Sequence, residues 1–229
     1  MMDDMGYPGG KGKCYQRLIN LMPPHETYIE THLGGGAVLR TKRPAKTNIG
    51  IDIDERVVSA WKQNHPAWCT VIQADAATFL EQYPFQGNEL VYADPPYVAA
   101  TRRRTKIYRH EYSDADHVRL LEVLTALPCM VMISGYQNPV YEERLQGWRR
   151  VSFSANTQNG VREESVWLNY AEPKQLHDAS FLGATFRERE AVKRRHQRLF
   201  ERFGRMEPAE REHVLQVLNT RYNERARTP

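Results

Sequence analysis

Over the first hundred residues, short apolar runs alternate with stretches in which apolar residues recur every three or four positions. Residues 27–33, 47–53, 70–74 and 90–93 are of the first kind and predict buried strands. Residues 14–22, 37–41, 55–64 and 76–82 are of the second kind and predict helices. Pro23-Pro24 stops the first of these, and Asp54 stands where it can cap the third. Strand and helix alternating at this spacing predict an α/β domain with a mainly parallel sheet and helices on both faces. Further along, 114–126 reads as a helix, 129–134 and 164–170 as strands, and 148–153 as an additional strand. Beyond Pro173 the rhythm becomes that of two amphipathic helices, 182–203 and 208–222, with Pro208 at the start of the second. The chain therefore divides into a domain over 1–175 and a C-terminal helical extension over 176–229.

The polar punctuation of this pattern is not random. Gly34-Gly35-Gly36 follows the first strand, Asp52 ends the second, Asp75 the third and Asp94 the fourth. In parallel α/β sheets, ligands bind beyond the carboxyl ends of the strands, so all four features fall where a ligand belongs.

Composition narrows the class. The 229 residues are 41% hydrophobic, an ordinary globular value. No apolar run approaches the roughly 18 residues of a membrane span. Met1-Met2-Asp3-Asp4 lacks the basic-then-apolar order of a signal peptide, so a soluble, cytoplasmic protein with no membrane partner is expected. Cys14, Cys69 and Cys129 have no metal-site spacing; they predict buried thiols and no metal. The net charge of +4 is unevenly spread, because residues 180–229 hold twelve Arg/Lys against seven Asp/Glu. A basic extension of this kind either solvates a helical surface or holds a polyanion by displacing counterions.

The chemistry concentrates at Asp94-Pro95-Pro96-Tyr97. An aromatic amino group is a poor nucleophile because its lone pair is delocalised into the ring. Two acceptors aimed at its two N–H bonds localise that pair on nitrogen. The Asp94 carboxylate and the Pro95 carbonyl supply two acceptors, Pro95 and Pro96 stiffen the loop, and Tyr97 supplies a face for a base to stack on. The competing reading is a rigid strand-exit turn capped by an acid. Asp52, about 20 residues beyond the glycine turn, suits the two hydroxyls of a ribose, and Asp75 suits an adenine amino group; either is equally a helix cap. The glycine turn matches neither GxGxxG nor the phosphate-loop pattern. Gly9-Gly10-Lys11-Gly12-Lys13 can hold a small anion through backbone N–H groups and ammonium charge.

In this order the motifs resemble the adenine-specific DNA methyltransferases of the deoxyadenosine methylase (D12) type. The resemblance runs from Tyr7 to Tyr170 and includes Asp116-His117 with Leu120-Leu121, Met132-Ile133-Ser134-Gly135-Tyr136 and Glu164-Ser165-Val166-Trp167-Leu168-Asn169-Tyr170. It implies a Rossmann-like S-adenosylmethionine-dependent methyltransferase fold. The implied activity is methyl transfer from S-adenosylmethionine to N6 of a flipped adenine in double-stranded DNA, leaving S-adenosylhomocysteine, in a prokaryotic or phage-infected cell. Tyr7, Gly10 and Lys11 would meet the methionine part of the cofactor. Glu30, His32 and Gly34, Gly35 and Gly36 would line its pocket, Asp52 its ribose and Asp75 its adenine. Asp94, Pro95, Pro96 and Tyr97 would bind and activate the target amine. Arg102, Arg103, Arg104, Lys106 and Arg109, just beyond, would grip phosphates; otherwise they are an exposed charged loop.

Two departures matter. Thr31-His32 stands where the family has Pro-Phe, which leaves His32 either a pocket residue or a satisfied structural histidine. Asp75 and Asp94 are too close for an inserted recognition domain. Recognition then falls to 99–113, to 156–162 or to the basic extension, and a short or relaxed target sequence is expected. RNA adenine or DNA cytosine N4 is the alternative substrate. A non-catalytic DNA-binding or assembly module is the alternative of another class. The apolar positions Phe186, Leu199, Phe200 and Phe203 of the extension suit packing on the domain or a homodimer through these helices.

Overall fold

A computed structural model describes residues 11, 14–64, 66–101, 108–157 and 160–223. These divide into two compact units, one reaching to Ala179 and one starting at Ser180.

The first unit is built on seven strands: β1 (Thr27–Glu30), β2 (Thr47–Asp52), β3 (Thr70–Gln73), β4 (Glu89–Ala93), β5 (Met130–Gly135), β6 (Arg149–Thr157) and β7 (Gly160–Leu168). Their order in one sheet is β3-β2-β1-β4-β5-β7-β6. The first five are mutually parallel, whereas β7 runs antiparallel to both β5 and β6. Helices α1 (Tyr15–Ile19), α2 (Ala37–Thr41), α3 (Glu55–Asn64), α4 (Ala76–Gln82), α5 (Asp114–Ala126) and α6 (Pro139–Arg144) connect them.

The period-2 geometry of a strand explains why these segments are almost continuously apolar. Ile29, Val91, Val131, Ile133 and Trp167 face one side, where they join Leu80 of α4, Leu120, Leu121 and Leu124 of α5 and Tyr141 of α6 in one cluster. The alternate residues Tyr28, Leu90, Tyr92, Met132, Val166 and Leu168 are equally buried and face the other side. Both faces of the sheet are thus covered, as the pattern predicts. Local signals place the helix starts. Ser113 and Asp116 form a reciprocal capping box on α5, and Asp75 caps α4 through the amide of Thr78.

Several boundaries differ from the sequence expectation. β1 ends at Glu30 rather than at Leu33, although Thr31 N still donates to Tyr92 O and Leu33 N to Ile51 O. Helix α6, with Asn138 as its cap and Pro139 in its first turn, is not in the sequence reading, though Asn-Pro is a helix-start signal. β6 and β7 are longer than expected, so 156–157 and 160–162, parts of a candidate recognition stretch, belong to these paired strands; residues 158 and 159 lie outside the described residues.

The second unit contains α7 (Phe186–Gly204), opened by a Thr185–Glu188 capping box, and α8 (Pro208–Asn223). Among the described residues no helix is long and apolar enough to cross a membrane.

Candidate active site

The strand order reverses direction between β1 and β4: from β1 the chain steps outward to β2 and β3, and from β4 outward to β5. The crevice beyond the carboxyl ends of β1 and β4 is the topological switch point, where this class of sheet binds ligands. Glu30 and the glycine turn leave one side of it; Asp94-Pro95-Pro96-Tyr97 leaves the other.

The turn is tightly built. Gly34 and Gly36 hold left-handed backbone angles, φ 44° and 58°. A methyl group on Gly36 would come within 2.2 Å of the Trp61 ring. Trp61 Nε1 donates to Gly34 O at 2.9 Å, locking α3 against the turn. Gly35 is different, for a Cβ there would meet nothing within 4 Å. Its backbone faces open space, where a ligand can approach closely.

Asp52 braces the same turn. Its Oδ2 accepts from Gly34 N at 2.8 Å and its Oδ1 from Asp54 N at 2.9 Å. Burial raises its carboxyl above the usual range, and these two amide bonds oppose that rise. Each oxygen keeps a second lone pair, so bracing the turn and accepting two hydroxyls are compatible. Asp75 spends Oδ1 on the Thr78 amide and hydroxyl, at 2.9 and 2.8 Å, and on Arg119 at 3.3 Å. Its Oδ2 makes no hydrogen bond among the described residues.

Glu30 is buried, with Oε2 accepting from the Tyr28 hydroxyl at 2.9 Å and Leu39 N at 3.0 Å. Burial pushes its carboxyl up to about 8, so it carries a proton at neutral pH and joins the start of α2 to β1. The ring nitrogens of His32 lie 2.8 Å from Thr31 Oγ1 and 2.9 Å from the Tyr112 hydroxyl. Burial lowers its basicity to about 3, so it is a neutral histidine with both nitrogens engaged.

The opposite wall is a buried polar network. Lys11 is 5% exposed, and its Nζ donates to Asp94 Oδ1 at 2.7 Å and to the Tyr97 hydroxyl at 2.6 Å. The Tyr97 hydroxyl donates in turn to Glu164 Oε1 at 3.1 Å, and the Cys14 thiol lies 3.6 Å from Glu164 Oε2. Burial pushes the Asp94 carboxyl up to about 6, while the Lys11 ammonium holds it down. Burial also pushes the Cys14 thiol up to about 12, which makes it an inert hydrogen-bond donor. Lys11, expected at the methionine end of a cofactor, is directed in this structure at the catalytic-loop candidate. Tyr97, expected to present a face for stacking, is 7% exposed. The Tyr136 ring lies 4.4 Å from it and the Lys11 ammonium 4.9 Å from its centroid. The Pro95 carbonyl accepts no hydrogen bond among the described residues.

Of the expected phosphate contacts, Arg109 pairs with Asp54 at 3.0 Å. Arg102, Arg103, Arg104 and Lys106 lie outside the described residues, as do Tyr7 and Gly10. Four contributors to the site are absent from the sequence reading as site residues: Glu164, Tyr136, Trp61 and Cys14. Glu164 had a weak signal, an acid next to a strongly apolar strand; the others look like ordinary core residues.

No family model and no curated protein matches the chain. Solved structures do. The N-methyltransferase NodS from Bradyrhizobium japonicum WM9 is 11% identical over 74% of this chain and 99% of its own, with a TM-score of 0.50. The putative methyltransferase SMU.1697c from Streptococcus mutans, in complex with S-adenosylhomocysteine, is 12% identical over 67% and 93%, with a TM-score of 0.48. At 11% identity the likeness to NodS speaks for the fold alone, and with the sheet order it gives the first unit the Rossmann-like methyltransferase fold. The resemblance to the deoxyadenosine methylases rests on motifs alone.

Proposed function

We propose that the chain transfers a methyl group from S-adenosylmethionine to the N6 amino group of adenine in DNA. One observation carries the reading: the half-buried Asp94 carboxylate and the Pro95 carbonyl, which accepts no hydrogen bond among the described residues, stand together at the end of β4, next to the strand whose end carries the glycine turn. The residues suit the cofactor on two grounds. Gly35 leaves open space against backbone, and Asp52 keeps a free lone pair on each oxygen. The glycine turn would accept the cofactor's body, Asp52 the ribose hydroxyls and Asp75 Oδ2 the adenine amine. When bound, S-adenosylmethionine supplies a methyl group already activated on a sulfonium centre.

The chain's own work is then orientation and acceptance of charge. Asp94 Oδ2 and the Pro95 carbonyl accept the two N–H bonds of the target amine and concentrate its lone pair on nitrogen. Methyl transfer would leave the amine with one proton to lose, and the Asp94 carboxylate, already accepting from that N–H, would take it and pass it to solvent. Lys11 keeps Asp94 ionised against burial so that it can act as acceptor. Tyr97, held by Lys11 and Glu164, bounds the base pocket with Tyr136.

Incubation with labelled S-adenosylmethionine and unmethylated duplex DNA, followed by nucleoside analysis, tests the reading. N6-methyladenine is expected. Label in N4-methylcytosine or only in RNA reassigns the base or the polymer. Absence of both transfer and cofactor binding by calorimetry defeats the reading and favours the non-catalytic DNA-binding module.

A further inference from the structure

The positive excess of the chain resides in its last fifty residues, and within them it is concentrated on α7. This helix contains seven Arg/Lys and three Asp/Glu, whereas α8 has two of one and two of the other. The arrangement on α7 is more informative than the count. At about 100° per residue, Arg187, Arg194, Arg195, Arg198 and Arg202 fall within an arc of about 100°, interrupted only by Ala191. All five are exposed. None has a carboxylate within salt-bridge distance among the described residues. The acids of the helix lie off this arc, and two are otherwise engaged. Glu188 accepts from the amides of Ala184 and Thr185 at the helix start, and Glu201 accepts from Gln197 at 2.9 Å. Favourable interaction with the helix dipole reaches only the last turn, so it accounts for Arg202 and not for Arg187, Arg194 or Arg195.

We propose that this arginine stripe is a sequence-independent contact for the phosphate backbone of duplex DNA, separate from the crevice of the first unit. Guanidinium groups match phosphate geometry in pairs of hydrogen bonds. At about 1.5 Å of rise per residue, Arg194 to Arg202 spans about 12 Å. Over that length one strand of B-DNA presents three or four phosphates, at about 3.4 Å each. A lipid surface is the less fitting occupant. A membrane-bound helix needs a continuous apolar face, whereas Phe186 lies at the opposite end of α7 from Leu199 and Phe200. Such a contact serves a chain whose Asp75–Asp94 spacing leaves no room for a recognition domain inserted there, because it holds the polymer while bases are sampled.

The test uses the full chain, a labelled duplex of arbitrary sequence and no cofactor, with anisotropy read from 50 to 200 mM salt, as about the physiological range. Replacing three arginines, Arg194→Gln, Arg198→Gln and Arg202→Gln, should flatten the slope of log affinity against log salt by about 2.7. Over that salt range the unaltered chain then loses about 40-fold more affinity than the variant. A charge-matched control off the stripe, Arg189→Gln, Lys193→Gln and Arg221→Gln, should change the slope by less than half as much. Equal slopes for stripe and control variants would overturn the proposal, as would an unaltered slope in a stripe variant with intact helical circular dichroism. Loss of binding to phosphatidylserine vesicles with DNA binding unchanged would overturn it in favour of a lipid surface. An Asp94→Ala chain should bind the duplex with the unaltered slope, so a failure of the methyl-transfer reading leaves this result standing.

Discussion

Replacing Lys11 by Met removes a charge from the buried network and little of its volume. In the intact site the Asp94 carboxyl is pushed up to about 6, and Lys11 Nζ, 2.7 Å away, is the cation that stops it from rising further. At pH 7 such a group is about 90% ionised, and protonating it costs only ~1.4 kcal/mol, one pKa unit. Leaving a buried charge without its partner costs about 3–5 kcal/mol. The smaller cost wins, so the variant takes up a proton rather than keep a bare carboxylate. Converted at 1.36 kcal/mol per unit, the pKa of Asp94 rises by about 2–4 units. The ionised fraction at pH 7 then falls to between about one in ten and one in a thousand. Carboxylate-dependent transfer is present above the Asp94 pKa and lost as pH falls through it. The acidic limb of the rate profile should therefore stand near 6 in the intact chain and at about 8 or above in Lys11→Met, with activity recovering at high pH. Single-turnover methylation at saturating cofactor, from about pH 5 to 9, reads this directly. A limb that stays near 6 while only the KM for cofactor rises would refute the reasoning and make Lys11 a cofactor contact instead.

Further outcomes follow from the same geometry. Asp94→Ala should lower the rate of transfer by about 10²–10³ while cofactor affinity by calorimetry changes only a few-fold. Gly36→Ala, which forces a methyl into Trp61 at a left-handed φ, should cost about 2–4 kcal/mol in urea unfolding. Gly35→Ala meets open space, so stability should move by no more than about 0.5 kcal/mol while cofactor affinity drops; unchanged affinity would place the cofactor elsewhere. Glu164→Ala removes the acceptor of the Tyr97 hydroxyl and should lower kcat about 5–30-fold, equivalent to about 1–2 kcal/mol. Glu164→Gln, whose amide oxygen still accepts, should recover most of it.

Much of the frame was legible in the chain. α2, α4 and α5 coincide with their predicted spans because each is marked at its start by a turn glycine or a capping side chain. The parallel strands were legible because burial on both faces makes them continuously apolar. The expected end of β1 lies past the observed one because Thr31 and Leu33 still bond to the neighbouring strands, and Leu33 is buried, after the regular ladder ends. α6 is six residues long, too short for a 3.6-residue period to declare itself. In the site, the His32 contact with Tyr112, 80 residues away in the chain, exists only in the folded protein. Asp52 braces the glycine turn through two amide bonds that leave its outer lone pairs available.

The division has a common physical cause. Periodicity, turn chemistry and capping act within a few residues, so the strand–helix alternation, the acids and glycines at strand ends and the Asp94-Pro95-Pro96-Tyr97 loop are written locally in the chain. Tertiary structure alone decided what surrounds that loop. Lys11 reaches Asp94 across 83 residues and Tyr97 across 86, Tyr97 reaches Glu164 across 67, and Cys14 reaches Glu164 across 150. Such meetings depend on strand order and on the antiparallel turn of β7 beside β5, which carries Glu164 toward the switch point. No local pattern encodes that order; the crossover connections and the burial of both sheet faces impose it.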